Sequence, residues 1–333
     1  MPPPLPARKL AELPRPEEAQ GSPRFLRDVL QGLDRPRKAV PSLWFYDARG
    51  SRIFQRIMAL DGYYPTRIEH EILARHGSDI VAPFFGRGCT VVDLGAGDGT
   101  KTPLLLEPLS LRSPRFGYAP IDISGAALAD VSARMASEFP RLRVTPVEAE
   151  YFEGLRALQG RQPGSLLVLF LGSNIGNLER AEAIAFLRSL RAALRPGDHV
   201  LVGFDLLKEV EVLRGAYDDP EGVTAAFNLN LLGRMNRELG ADFDLEAFGH
   251  RATFDPVRPA MESWLVSRRR QRVRVAGRTF GFEAGEAIHT EISCKYREGD
   301  PSALAALAGF SEIGQFRDRR GWFVDALWRV NPK

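Results

Sequence analysis

The chain has 333 residues, 44% of them hydrophobic and 26% charged, with 45 basic against 42 acidic side chains. That length exceeds one typical domain, and the composition is ordinary for a soluble globular protein of one large or two intimately joined domains. No apolar run approaches the roughly 20 residues of a membrane-spanning helix, and two cysteines, Cys89 and Cys294, provide no disulfide framework.

The opening "MPPPLPARKL" lacks the apolar core of a signal peptide, and Glu12, Glu17 and Glu18 argue against a transit peptide. A cytoplasmic protein is expected. Residues 1–22 carry six prolines and no periodicity, which reads as a disordered tail. Helical spacing follows in "PRFLRDVLQGL" from Pro23, and again over 66–81, where Ile68, Ile72, Leu73 and Ile80 share one side.

The pattern then alternates. "CTVVDLG" (89–95), "FGYAPIDIS" (116–124), "RLRVTPVEAEY" (141–151), "SLLVLFLGS" (165–173) and "DHVLVGFDLL" (198–207) read as strands, with helical segments in most of the gaps. Strands alternating with helices predict a parallel sheet joined by right-handed crossovers. After Asp205 the alternation stops. Residues 206–245 read as helix, 250–283 as strands, and 285–298 and 300–309 as helix again, before a final aromatic strand at 321–330. This looks like an insertion of about a hundred residues beside the sheet. Within it, "SRRRQRVRV" (267–275) alternates as a strand with one basic, wet face; a solvated edge strand is the simpler reading, a nucleic-acid patch the other.

"VVDLGAGDGTKT" (91–102) is a strand, a glycine turn and a helix start, spaced Gly95-x-Gly97-x-Gly99. Glycines there allow a tight turn and let a ligand lie against bare backbone. Asp122 ends the next strand, placed to bind a ribose diol. The arrangement serves nicotinamide dinucleotides and S-adenosylmethionine alike; Asp93, the shorter glycine spacing and "IDIS" favour S-adenosylmethionine. A glycine turn with no ligand is the bland alternative.

A more specific resemblance covers the chain from about residue 40 onward. "LWFYDARGSRIFQRI", "GYYPTRIEHEIL", "LGAGDGTKT", "FLGSNIGN", "AYDDPEGVTAAFNLN", "NRELGADFD" and "HTEISCKY", in this order, resemble the histidine Nα-methyltransferases of ergothioneine biosynthesis. The resemblance implies an α/β fold, a Rossmann-like class I methyltransferase domain (66–205 and 298–333) with a second, inserted α+β substrate-binding domain (23–65 and 206–297). It implies S-adenosyl-L-methionine as cofactor and trimethylation of the α-amino group of L-histidine to hercynine. The partner expected is a small-molecule amino acid, with no nucleic acid and no membrane, and the chain is expected to be a monomer.

By that resemblance Gly172 and Asn177 hold the amine and carboxylate, Tyr64 and Tyr217 the carboxylate, and Tyr46 lies near the amine. Glu291 and Ser293 read the imidazole. For the cofactor, Gly95 and Gly97 line the methionine portion, Lys101 meets its carboxylate, Asp122 the ribose, and Glu150 and Tyr151 the adenine. An amide suits an amino acid because its oxygen accepts from an amine while its nitrogen donates to a carboxylate. The bland alternative for Asn177 is a helix N-cap, and for each tyrosine a core ring with a satisfied hydroxyl. Glu291 and Ser293, two apart, share a face only in an extended segment and diverge by about 200° in a helix; a turn or helix start is expected there. His289 reads as ordinary structure, and no metal-ligand spacing is evident.

Two departures stand out. Glu150 replaces the family's frequent Asp, lengthening the reach by one methylene. Ser263, in "MESWLVS", stands where histidine-binding members have methionine, which changes the volume and polarity of that wall. Ser263 motivates an alternative, the same chemistry on tryptophan or a modified histidine, which Glu291 opposes. Further alternatives are a nicotinamide-dependent oxidoreductase, a non-enzymatic cofactor-binding scaffold, and a nucleic-acid methyltransferase. The last is disfavoured because the turn after the fourth strand lacks an Asp/Asn-Pro-Pro-aromatic pattern.

Overall fold

A computed structural model describes residues 22–331 apart from 98, 114, 124 and 159–163. The expectation of a disordered tail falls, save for Ser22, outside the described residues. In chain order the first elements are α1 (Pro23–Leu33), α2 (Ala48–Met58), α3 (Tyr64–Val81), β1 (Cys89–Leu94), α4 (Pro103–Arg112), β2 (Phe116–Asp122) and α5 (Gly125–Glu138). Next come β3 (Arg143–Val144), β4 (Val147–Glu148), α6 (Tyr151–Leu158), β5 (Ser165–Phe170), α7 (Arg180–Ala192) and β6 (His199–Asp205). Then follow α8 (Val210–Tyr217), α9 (Val223–Leu239), β7 (Phe248–Asp255), β8 (Ala260–Ser267), β9 (Gln271–Val275), β10 (Arg278–Phe282) and β11 (Ala287–Cys294). The chain closes with α10 (Asp300–Ala308), β12 (Phe310–Arg317) and β13 (Phe323–Val330).

Two compact units result. One holds the described residues up to Tyr63 with Val210–Asp255 and Met261–Glu291; the other holds Tyr64–Glu209, Pro256–Ala260 and the described residues from Ile292.

The second unit is built on an eight-stranded sheet in the order β12-β13-β6-β5-β1-β2-β3, with β4 also paired to β2. β6, β5, β1, β2, β3 and β4 run parallel, and β13 and β12 are antiparallel. Every residue of β1 and β6 is buried, which is why these strands read as unbroken apolar runs. Alternate residues feed two cores. Val92, Val168 and Val200 meet Leu155, Leu187 and Leu304 of α6, α7 and α10. Val91, Leu167 and Leu201 meet Leu73, Leu105 and Met135 of α3, α4 and α5. The chain leaves β1 toward β2 on one side, while β5 lies on the other. The crevice at the carboxyl ends of β1 and β5 is therefore the topological switch point, where open α/β sheets bind ligands.

The first unit packs α1, α2 and α9 with β7 to β11. Its core joins Phe25, Val29 and Leu33 to Ile53, Phe227, Leu231, Val273 and Phe282. Pro23 starts α1 and the Ser22 hydroxyl accepts the Phe25 amide at 3.1 Å, a standard N-terminal arrangement. β9 pairs antiparallel with β10 as an isolated ribbon, burying Val273 and Val275 and exposing Arg272 and Arg274. The basic stretch around it meets acids: Arg269 with Asp244, Arg270 with Glu283 and Arg274 with Asp242.

Two local expectations need correction. The segment 285–298 is not helix but mainly strand β11, because Ile288, Thr290 and Ile292 alternate as strand-forming residues. Glu291 and Ser293 thus share one face of an extended strand. The expected continuous strand at 141–151 is two two-residue strands, β3 and β4, with α6 beginning at Tyr151. Among the described residues no helix is long and apolar enough to cross a membrane.

Candidate active site

At the end of β1 the chain turns through Gly95, Gly97 and Gly99, all in the left-handed region (φ 73°, 53° and 59°). A side chain there would be strained, so the turn requires glycine. An added Cβ on Gly97 would meet nothing nearer than the Gly95 carbonyl at 3.9 Å, so this turn faces open space. The Gly97 amide donates to Asp122 Oδ2 at 3.3 Å, which sets the carboxylate at the end of β2 beside the turn. Tyr151, opening α6, places its hydroxyl 3.0 Å from where a Gly95 Cβ would stand. Burial pushes that phenol up to about 12, with Asp122 and Asp93 acting the same way, so it stays protonated and able to donate. Asp93 faces inward and accepts from the Thr102 hydroxyl at 2.7 Å and the Tyr118 hydroxyl at 3.2 Å, tying the far end of the turn to the strand.

β5 ends in a second turn. Gly172 and Ser173 are both left-handed (φ 73° and 55°), and Ser173 is one of two described non-glycine residues in that region. Such strain is held only where surroundings over-determine it. Here the Ser173 hydroxyl accepts the Asp205 amide at 3.2 Å and its carbonyl accepts the Gly176 amide at 2.8 Å. A 3-10 turn follows over Asn174–Asn177, pinned by the Tyr296 hydroxyl on the Ile175 carbonyl at 3.0 Å. Gly176 is glycine because a Cβ would lie 2.9 Å from the Cys294 carbonyl. Asn177 is not the cap of α7. That role falls to Glu179, which forms a capping box with Glu182. The half-buried Asn177 amide makes no hydrogen bond to another described residue.

Both turns meet one carboxylate. Glu69, fully buried on α3, accepts the Gly172 amide at 2.7 Å through Oε1 and the Lys101 ammonium through Oε2. Asp325 of β13 lies beside it, with neither carboxyl oxygen hydrogen-bonded. Burial pushes Asp325 well above the ordinary carboxylate value and Glu69 adds to this, against the pull of Lys101.

A second buried cluster sits at the end of β6. The Tyr64 hydroxyl lies 2.8 Å and 3.0 Å from the two Asp205 oxygens and 3.0 Å from Lys208 Nζ. A phenol has one proton and Lys208 can only donate to it, so the Tyr64 proton faces Asp205. Lys208 also donates to Asp205 directly, and Lys295 Nζ reaches Asp205 Oδ2 and Ser293 Oγ, both at 2.8 Å. Burial raises the Asp205 carboxyl, but Lys295 and Lys208 outweigh it and hold it below the ordinary range. Burial lowers Lys208, which Asp205 opposes, with Lys295 lowering it further and Asp318 raising it. Asp205 thus bridges two buried ammonium groups, while Asp318 spends its oxygens on the amides of Arg320, Trp322 and Phe323.

In the first unit, Tyr46 packs edge-on against Phe54 and Phe227 at 5.5 Å and 5.6 Å between ring centres. Tyr217 ends α8 nearly buried, just before Asp219, whose oxygens cap α9 through the Val223 and Thr224 amides. Ser263 on β8 is fully buried and its hydroxyl meets Glu291 Oε2 at 3.2 Å. His289 packs on Trp264 at 4.6 Å between ring centres. Among the described residues no group of acid, histidine or cysteine side chains could hold a metal.

The family model described as "Histidine-specific methyltransferase, SAM-dependent" matches residues 25–330. The chain belongs to this family. A protein of Mycobacterium tuberculosis (strain CDC 1551 / Oshkosh) named Histidine N-alpha-methyltransferase is 40% identical over 308 residues, covering 92% of this chain and 95% of that one. Its namesake in Mycolicibacterium smegmatis (strain ATCC 700084 / mc(2)155) is 41% identical, covering 89% and 92%. Ergothioneine biosynthesis protein 1 of Neurospora crassa is 28% identical over 85% of this chain and 32% of its own length.

The protein is thus an S-adenosylmethionine-dependent methyltransferase of α/β, Rossmann-like fold, and the oxidoreductase and scaffold alternatives fall away. The geometry around β1 fits that cofactor: an open glycine backbone, an acid at the end of β2 and a lysine beyond the turn. Of the residues singled out in sequence, Gly95, Gly97, Asp122 and Tyr151 come together around the first turn, and Lys101 meets Gly172 through Glu69. Tyr64 and Ser293 share the Asp205 cluster, while Ser263 and Glu291 pair in the first unit. Glu69, Asp205, Lys208, Lys295 and Asp325 were missed. Glu69 was readable, since it falls on the side of α3 that buries Ile72 and Leu73. Asp205 was too, as an acid closing an apolar strand.

Proposed function

We propose that the methyltransferase transfers three methyl groups in succession to the α-amino nitrogen of L-histidine, giving hercynine. Gly95, Gly97 and Lys101 would hold the methionine portion of the cofactor, Asp122 its ribose, and Glu150 and Tyr151 its adenine. Bound there, S-adenosylmethionine supplies a methyl group on a sulfonium, open to displacement by an uncharged nitrogen. The chain's own task is to present that nitrogen. The α-nitrogen must shed its proton before it can attack, and positioning of the uncharged amine supplies most of the rate. The Asn177 amide, uncommitted within the described protein, would accept from the amine and donate to the carboxylate. Tyr46, Gly172 and Tyr217 would complete the grip, and Tyr64 would join it by turning its hydroxyl proton from Asp205 to the substrate carboxylate.

The observation that carries the histidine reading is the contact between Ser263 and Glu291 at 3.2 Å. The residue that departs from the histidine-binding pattern supports the carboxylate that would accept from an imidazole N–H, fixing its rotamer. Ser293 would face the other ring nitrogen. A second reading, the same chemistry on tryptophan or a modified histidine, draws on the small volume of Ser263. An L-tryptophan methyltransferase of Psilocybe serbica is 25% identical over 98% of this chain. Incubating the purified protein with S-adenosylmethionine and the twenty amino acids, followed by mass spectrometry, separates the two. Methylated histidine alone is expected; methylated tryptophan in its place refutes the histidine reading.

A further inference from the structure

Glu69 is a charged residue on the apolar face of α3, and the fold makes room for it. A Cβ added to Gly203 of β6 would overlap Glu69 Oε1 and stand 3.2 Å from Asp325 Oδ1, so glycine leaves space for the two carboxyl groups. Burying a carboxylate is costly, and an apolar residue of similar size usually serves stability as well or better. Its retention calls for another reason. Its two oxygens go to different turns: Oε2 to Lys101, beyond the glycine turn of β1, and Oε1 to the Gly172 amide, in the turn after β5. These turns flank the switch point, and Lys101 Nζ lies 4.0 Å from where a Gly172 Cβ would stand.

We propose that Glu69 is a positioning residue that fixes, with one carboxylate, the lysine that meets the cofactor's carboxylate and the turn that presents the substrate amine. The proposal rests on the assignment of Lys101 to the cofactor, but not on which amino acid is methylated. A lysine has four rotatable side-chain bonds, and holding its ammonium in place beforehand removes an entropic cost from ligand binding. The bond to Gly172 also helps hold a left-handed turn that would otherwise relax. Asp325 is buried beside Glu69 with no hydrogen bond to either of its oxygens, so it adds no second tie between the two turns.

The test is a double-mutant cycle read by calorimetric binding of S-adenosylhomocysteine to ligand-free protein. Glu69→Gln keeps the shape and removes the charge. It is expected to weaken binding at least about tenfold, with the melting temperature of the ligand-free protein within about 3 °C of wild type. Lys101→Met should weaken binding comparably, and adding Glu69→Gln to Lys101→Met should weaken it by less than about twofold more, because Glu69 acts through Lys101. Wild-type affinity in Glu69→Gln, or losses that multiply in the double variant, overturns the proposal. Should Glu69→Gln fail to fold, Gly203→Ala displaces the carboxylate without changing any charge. Weaker binding in that variant supports the proposal and unchanged binding overturns it. Because the readout is cofactor binding, a protein that methylates another amino acid would sink the histidine reading and leave this result standing.

Discussion

Replacing Asn177 by alanine separates function from folding more sharply than any other change at the site. The amide is half-buried, lies in a 3-10 turn, and makes no hydrogen bond to another described residue, while its neighbours Ile175 and Gly176 are held by the Tyr296 hydroxyl and the Ser173 carbonyl. Its removal leaves no buried partner unsatisfied, so stability should change by no more than about 0.5 kcal/mol, or about 1–2 °C in melting temperature. The substrate should feel it differently. Hydrogen bonds to charged groups are worth about 1.5–3 kcal/mol each, and one to the amine and one to the carboxylate together give about 3–6 kcal/mol. At about 1.4 kcal/mol per factor of ten, kcat/KM should fall by roughly two to four orders of magnitude. The assay couples S-adenosylhomocysteine formation to a continuous readout, with thermal unfolding measured on the same samples. Turnover within about threefold of wild type, or a loss that tracks a fall in melting temperature, would refute the assigned role.

Glu291→Gln should raise the KM for histidine by about ten- to a hundredfold, the loss of one charge-assisted bond, and leave calorimetric affinity for S-adenosylhomocysteine unchanged; equal losses in both would mark a structural residue. Asp93 offers a pH test. Burial pushes its carboxyl from 3.8 up to about 6, against the pull of Thr102, Tyr118 and Lys101 and with Asp122 adding to it. A raised acid holds its proton in the folded state after the unfolded chain has lost it, so folding loses stability between about pH 4 and 6 and levels off above. Asp93→Asn keeps an oxygen for both hydroxyls and lacks this slope. Its stability relative to wild type should climb across that window by up to about 3 kcal/mol in urea titrations, and a difference that stays flat with pH contradicts the assignment.

The sheet was legible because its central strands are buried on both faces and its crossovers are helical, so period and punctuation agree from Cys89 to Asp205. β11 misled because His289, Glu291 and Ser293 give it a polar face, and a short strand with polar positions resembles a helix start. β12 escaped notice for a related reason: it is an edge strand, with exposed Glu312 and a register shift before Gly314. At the site, glycines and the acid at a strand end announce themselves by position. The lysines do not, since nothing in "LLKEV" or "SCKYR" tells that Lys208 and Lys295 lie inside the fold against Asp205. Their burial follows from tertiary packing, which local pattern does not encode. Ser263 was legible as a departure, but its meaning required the structure, which places its hydroxyl on Glu291.

Successive trimethylation is tested most directly by the stoichiometry of the reaction with L-histidine as sole acceptor, following S-adenosylhomocysteine by chromatography and the amino acid by mass spectrometry. Three S-adenosylhomocysteine molecules are expected per histidine consumed, with a product carrying all three methyl groups on its α-nitrogen. Histidine recovered unmodified, or methylated on its ring, from protein that binds S-adenosylhomocysteine would contradict successive trimethylation.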